Sequence, residues 1–174
     1  MFLRRLLPTA SLAGACLAPA HAVEPALLDA QLKRLAALLG DSYATAYPER
    51  AQVQTFSRPA GQNLSLALFT IEAYGGGNNH RQYLAVFEED VDETGRRGHF
   101  MLRGVTQVGA KGWRAVPVMQ AEARFDEASG TAHFVVPALV NAPGDAANFP
   151  SKKVDIRLVL DRSGLSEVQS RVAP

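Results

Sequence analysis

Cysteine occurs once in these 174 residues, at Cys16. If that residue leaves with a leader, the remaining chain can form no disulfide, no thiolate metal site and no cysteine nucleophile, so its stability must come from its core alone. Charge of one sign is also scarce, because 18 basic and 17 acidic residues give a formal net charge of +1. Loss of Arg4 and Arg5 with a leader would take that charge to −1. A near-neutral balance excludes a general nucleic-acid binder or a coating for anionic membranes, both of which need a basic face. Long apolar runs are missing too. The stretch from Leu6 to Pro19 contains Pro8 and is too short for the ~20 residues that cross a hydrocarbon core. No internal repeat or low-complexity linker divides the chain. What is present is ordinary for a folded domain: 47% hydrophobic and 20% charged residues, in a length sufficient to bury a core.

The N-terminus has the order of an export signal. Met1 to Arg5 is a short positive segment, Leu6 to Pro19 is apolar, and Ala20-His21-Ala22 places small residues at −3 and −1 of a cleavage site. The expected division is therefore a signal peptide over 1–22 and one β-rich domain over 23–174, in a periplasmic or secreted protein. A buried N-terminal helix is the alternative. Cys16 follows Leu12-Ala13-Gly14-Ala15, which hints at lipoprotein processing, although Ala13 stands where a large aliphatic residue is usual. Arg4-Arg5 leaves the export route, general or twin-arginine, open. No transmembrane segment is expected in the mature chain.

Beyond the leader, Pro25 to Leu39 reads as a helix. Leu28, Leu32, Leu35 and Leu39 share one face at a 3.6-residue period, Pro25 suits the first turn, and Gly40 suits a left-handed residue after the last. The pattern then turns to strands: Gln52–Ser57, the continuous apolar run Leu64–Tyr74, Gln82–Glu88, His99–Val108, Ala115–Phe125, Thr131–Val140, the alternating segment around Val154 to Asp161, and Leu165–Val168. Gly75 to Asn79 and Asp126 to Gly130 read as hairpin connections. Pro117 and Pro137 mark edges, bulges or strand ends, because proline cannot donate to a ladder. Helical periods do not recur between the strands, so parallel βαβ units are unexpected. The predicted fold is α+β and mainly antiparallel β, with one N-terminal helix packed on a curled sheet of six to eight strands.

Several segments carry residue types that do chemistry. Gly75 to Asn79 has the composition of a phosphate cradle, but a strand follows where a helix N-terminus is needed, so a hairpin loop is the simpler reading. Asp90 to Gly95 resembles the first half of a calcium loop, yet Met101 stands where a bidentate Glu is required. The acidic run Glu88 to Glu93 is expected to be a solvated hairpin tip. His80, His99 and His133 are not at metal-ligand spacing. His80 is expected in a loop and His99 at the opening of a strand. Ser57, Ser65, Ser151 and Ser166 lie outside any Gly-x-Ser-x-Gly context. No catalytic residue, metal or cofactor is predicted. The segment Gln107 to Arg114 holds the one tryptophan between glycines and basic residues. It reads either as a turn with Trp113 packed on the sheet, which the sequence favours, or as a recognition loop. The residues offered for binding are Asn78, Asn79, Lys111, Trp113 and Arg114.

Three of these stretches carry a family resemblance. Tyr74-Gly75-Gly76-Gly77-Asn78-Asn79 with Gln82-Tyr83-Leu84-Ala85-Val86-Phe87, Gln107-Val108-Gly109-Ala110-Lys111-Gly112-Trp113-Arg114, and Gly144-Asp145 with Pro150-Ser151-Lys152-Lys153 follow one another as in a group of small exported bacterial proteins, many of them lipoproteins, without an assigned activity. The chain resembles that group over roughly Leu66 to Leu165. Relatives often carry a cysteine pair before the Pro-Ser, where this chain has Asn148-Phe149, so no role of that pair transfers. The resemblance implies export and a β-rich fold. Together these readings point to an exported protein that binds a partner or envelope component without catalysis. The alternatives are an envelope hydrolase whose site is assembled only by folding, and a small-ligand carrier built on the curled sheet.

Overall fold

The computed structural model describes residues 25–58, 62–91, 93 and 97–168. The expected leader, residues 1–22 with Cys16, lies outside these residues, as do Asp92, Thr94 and Gly95. One helix, α1 (Pro25–Leu39), precedes ten strands: β1 (Thr45–Ala46), β2 (Gln52–Phe56), β3 (Leu64–Glu72), β4 (His80–Val91), β5 (Arg97–Ala110), β6 (Arg114–Ala115), β7 (Glu122–Asp126), β8 (Thr131–Val140), β9 (Lys152–Asp161) and β10 (Gly164–Glu167). Every pairing is antiparallel, and all strands belong to one sheet. The α+β class with one helix on a curled sheet is therefore as the sequence predicts. The strand count is higher because β1 and β6 are two-residue pairings too short to leave a pattern, and because Ala115–Phe125 is not one strand.

The burial of β3 explains its unbroken apolar run. Leu64, Leu66 and Leu68 point into the curl, where they meet Leu84 and Val86 of β4, Phe134 and Val136 of β8, and Ile156 and Leu158 of β9. Ala67, Phe69 and Ile71 point the other way, onto Leu28, Leu32 and Leu35 of α1. A strand covered on both faces has no reason to alternate. Burying each such leucine stabilises the fold by about 2 kcal/mol. Strands β8 and β9, covered only from within, keep the alternation. Ser65, the polar exception in β3, is fully buried and shares a hydrogen bond with Thr55 Oγ1 at 2.9 Å.

The sheet runs β1/β2–β3–β4–β5–β6/β7–β8–β9–β10 and is not closed by pairing. Its free edge at β10 instead presses on β5 at Gly104, where an added Cβ would stand 2.6 Å from Leu165 Cβ and the Leu165 nitrogen. Gly40 departs from expectation: it does not take a positive φ. It provides room instead, with a Cβ there falling 3.1 Å from Ala44 Cβ.

Antiparallel connectivity sorts the connections onto two ends. Residues 40–44, 73–79, 111–113 and 141–151 lie at one end, and residues 57–58, 62–63, 127–130 and 162–163 at the other. We call these the aromatic end and the charged end.

Candidate functional site

The four connections of the aromatic end are tied to one another through polar contacts. After α1, Asp41 accepts hydrogen bonds from the backbone N–H of Tyr43 at 3.0 Å and of Gly75 at 2.9 Å, joining the helix exit to the glycine-rich loop. The Gly75 bond is the main reason its carboxyl titrates below the ordinary aspartate range, and the Arg81 charge adds to it. Gly75 and Gly76 take φ values of +64° and +72°, which side chains rarely adopt. Ala73 sits at +63° as well, held by its N–H on Asn79 O at 2.8 Å. Lys111 Nζ donates to Asn78 O at 2.8 Å, joining the glycine loop to the Trp113 turn. The Gly112 N–H donates to Ala147 O at 2.7 Å, joining that turn to the 141–151 loop.

Asp145 organises this last loop. Its carboxylate accepts from the Ala142 N–H at 2.8 Å, the Ser151 N–H at 2.9 Å and the Ser151 hydroxyl. The Ala142 bond, followed by those of Ser151, lowers its pKa against the opposing effect of desolvation. The Gly144-Asp145 and Pro150-Ser151 segments noted in the sequence are thus two halves of one closed loop. Asn141 adds a bond from Nδ2 to Ala146 O at 3.1 Å, while its buried Oδ1 has no hydrogen-bond partner.

Three large apolar side chains project from these loops: Tyr43 (65% exposed), Trp113 (43%) and Phe149 (74%). Trp113 does not pack away on the sheet as the sequence favours. It supports the Arg114 guanidinium, 4.3 Å from the ring centroid, and leaves much of its surface in solvent. Arg114 itself is not an open binding group. It is buried, donates from Nε to Val108 O at 2.7 Å and grips Glu167 through both terminal nitrogens at 2.8 and 2.9 Å. Its charge is used to fasten β10 to the turn and to hold the indole in place. Asn78, Asn79 and Lys111 are exposed beside the turn. The structure therefore brings Asn78, Asn79, Lys111 and Trp113 to one end and assigns Arg114 to the scaffold. Tyr43 and Phe149 escaped the sequence reading, since each is a lone aromatic in a polar loop and only topology puts it at the same end of the sheet as Trp113.

The histidines do not join this group. His80 opens β4, where its register partner is Glu72, and is not a loop residue. His99 lies within β5, with Nδ1 at 3.5 Å from Gln31 Nε2. His133 is exposed on β8. Among the described residues, no three His, Cys, Asp or Glu side chains converge as a metal site would require. The curl's interior is packed with Phe134, Leu64, Leu66, Ile156 and their neighbours. No described helix is long and apolar enough to cross a membrane.

The acidic run also differs from expectation. Glu88 and Glu89 belong to β4 and are buried. Glu88 receives Arg58 Nη2 on one oxygen at 2.5 Å and Arg103 Nη1 on the other. Glu89 receives Asn63 Nδ2 at 3.3 Å, and its N–H donates to Asn63 O. The run's first half is structural ionic packing at the charged end, not a solvated tip.

No family model matches this chain, and neither a curated protein nor a solved structure is significantly similar to it.

Proposed function

We propose that this is an exported protein, periplasmic or secreted, which binds a partner or envelope component through its aromatic end without catalysing a reaction. The observation that carries the reading is the exposure of Tyr43, Trp113 and Phe149 on four mutually bonded loops, beside Asn78, Asn79 and Lys111. Rings held at a surface by an interlocked backbone bind with little ordering cost, and amphipathic aromatics are what recognition surfaces enrich. Asn78 and Asn79 side chains and the Lys111 amine supply polar groups at the rim. The order of charged, apolar and small residues over 1–22, with cleavage after Ala22, supports export, as does the resemblance to small exported bacterial proteins.

The test is a paired capture experiment with envelope extract, using the protein and its Trp113→Ala/Phe149→Ala form. We expect one reproducible bound component that is lost from the double variant while the variant remains folded with a cooperative melt. Equal capture by both forms would refute the aromatic end as the site. Mass spectrometry of the exported product should find Val23 as the first residue; retention of Met1 would refute the leader.

A further inference from the structure

A second site lies on the flank of the sheet, beside β8. Between the pairs Ala115↔Leu139 and Glu122↔Val135, six residues (116–121) stand against three on β8 (136–138). Continued from Ala115↔Leu139, the register would set Pro117 opposite Pro137, and neither has an N–H to give. Asn141 donates its N–H to Trp113 O, so by the two-residue alternation of a strand Leu139 and Pro137 turn their backbone groups to the same side. Proline has no N–H to offer there, and the neighbouring chain leaves the ladder. Its backbone groups are taken up by three glutamine side chains from across the curl. Gln82 accepts from the Val116 N–H at 2.8 Å and donates to Val116 O at 3.1 Å. Gln54 does the same to Ala121 at 2.8 and 2.9 Å. Gln52 accepts from the Met119 N–H at 2.8 Å and donates to Pro117 O at 3.4 Å. Side-chain amides here replace a missing strand partner and fix the detour as a rigid wall.

Between that wall and β8/β9 lies a groove of about 490 Å³, within the range of small-molecule sites. Pro117, Val118, Pro137 and Leu139 give it an apolar lining. Lys153 and Asp155 line the β9 side, in register with Leu139 and Pro137 respectively. Two residues apart on one strand, they share a face and stand about 7 Å from each other. Both are exposed, and neither forms an ion pair with the other or with another described residue.

We propose that this groove binds a zwitterionic amphiphile, with its apolar body against Pro117, Val118, Pro137 and Leu139 and its head between Lys153 and Asp155. The pair of opposite unpaired charges decides the head. An apolar head would crowd two ions and return no hydrogen bond. A singly charged head would satisfy one ion and lie against the like charge of the other. A head carrying both signs satisfies both. None of the groove's lining residues belongs to the four connections of the aromatic end.

The test is an NMR titration of the purified protein with dodecylphosphocholine below its micelle threshold, beside dodecyl sulfate, dodecyltrimethylammonium and free phosphocholine. We expect saturable shifts at the amides of Val118, Leu139 and Asp155, tightest for dodecylphosphocholine, and none with phosphocholine alone. Lys153→Gln should weaken dodecylphosphocholine about threefold, as a solvent-exposed ion contact allows, and should favour the trimethylammonium probe. Asp155→Asn should favour the sulfate probe. Val118→Asp, an exposed position, should abolish all three while melting stays unchanged. Three results would each overturn the proposal: no saturation with any amphiphile, equal affinity for the three heads, or full binding by Val118→Asp.

Discussion

At the aromatic end of the sheet, the loops spend their polar groups on one another and leave rings in water. At the charged end, polar groups close the molecule. Glu88 is held between Arg58 and Arg103, and the cleft beside them is walled by Asp126, Glu127 and Asp161 from two hairpin tips. No described connection at that end exposes a large apolar side chain. Both ends contain an arginine–carboxylate lock, since Arg114 grips Glu167 near the aromatic end. The locks serve different purposes. The Glu88 lock joins β4 and β5 to the segment after β2 and faces hairpin tips. The Arg114 lock joins β10 to a turn, and its arginine also carries the ring of Trp113. The same chemistry thus seals one end and presents a side chain at the other.

Breaking the locks separately should expose that difference. Glu88→Ala is expected to have the largest effect. It leaves two guanidiniums facing each other without their carboxylate, and removal of one member of a buried ionic group is strongly destabilising. Because Arg58 and Arg103 reach solvent in part, we expect the lower part of that range, about 3 kcal/mol, read by urea denaturation. Capture through the aromatic end should be unaltered under conditions where the variant is folded. Arg114→Ala should cost about 2 kcal/mol, because the abandoned Glu167 is a third exposed and can hydrate. Unlike Glu88→Ala, it should also change the local tryptophan signal. Loss of the guanidinium over the ring shifts Trp113 emission to longer wavelength and raises its quenching by acrylamide. An unchanged emission would show that Arg114 does not position the indole. The Trp113→Ala/Phe149→Ala pair should cost about 1 kcal/mol, most of it the lost stack of Trp113 on Arg114, since Phe149 lies largely in water. A loss of several kcal/mol would make these rings part of the core and remove the contrast between the ends.

The contrast also shows what the sequence could disclose. The leucine stripe of α1 and the alternation of β9 were legible because each element buries one face, and a single buried face writes a period into its own residues. The long run of β3 was legible as a central strand, although the α1 cover on its second face is a tertiary fact. The break within Ala115–Phe125 was marked by Pro117, yet Pro137, which would face it in register, lies on the neighbouring strand. The three glutamines that support the detour come from β2 and β4 and have no local signature. The site was half visible for the same reason. Trp113, Lys111, Asn78 and Asn79 stand in turn-forming segments that announce themselves, whereas Tyr43 and Phe149 gain meaning only when antiparallel pairing brings four loops together. Glu88 and Glu89 misled because an acidic run reads as solvated until partners appear. Those partners, Arg58, Asn63 and Arg103, lie 15 to 30 positions away in sequence.

The smallest expected effect concerns Asp145, and it tests whether the aromatic end is held by its own polar contacts. The carboxylate accepts N–H and hydroxyl bonds only in the folded loop, and these lower its pKa below that of the unfolded chain. A depressed carboxylate stabilises the fold in full above the ordinary aspartate pKa of about 3.9, and the contribution fades as pH falls through the folded value. Loop 141–151 should therefore keep its geometry through neutral and mildly acidic conditions and loosen only below about pH 3.9. Amide shifts of Ala142 and Ser151, followed by NMR from pH 7 downward, should move together with a midpoint under that value. Asp145→Asn should remove the transition and weaken the loop at every pH, since the amide oxygen accepts fewer and weaker bonds. A midpoint at or above the ordinary value would mean that the carboxylate is not the loop's fastener. The placement of the 141–151 loop against the Trp113 turn would then rest on the Gly112–Ala147 and Asn141–Trp113 backbone bonds.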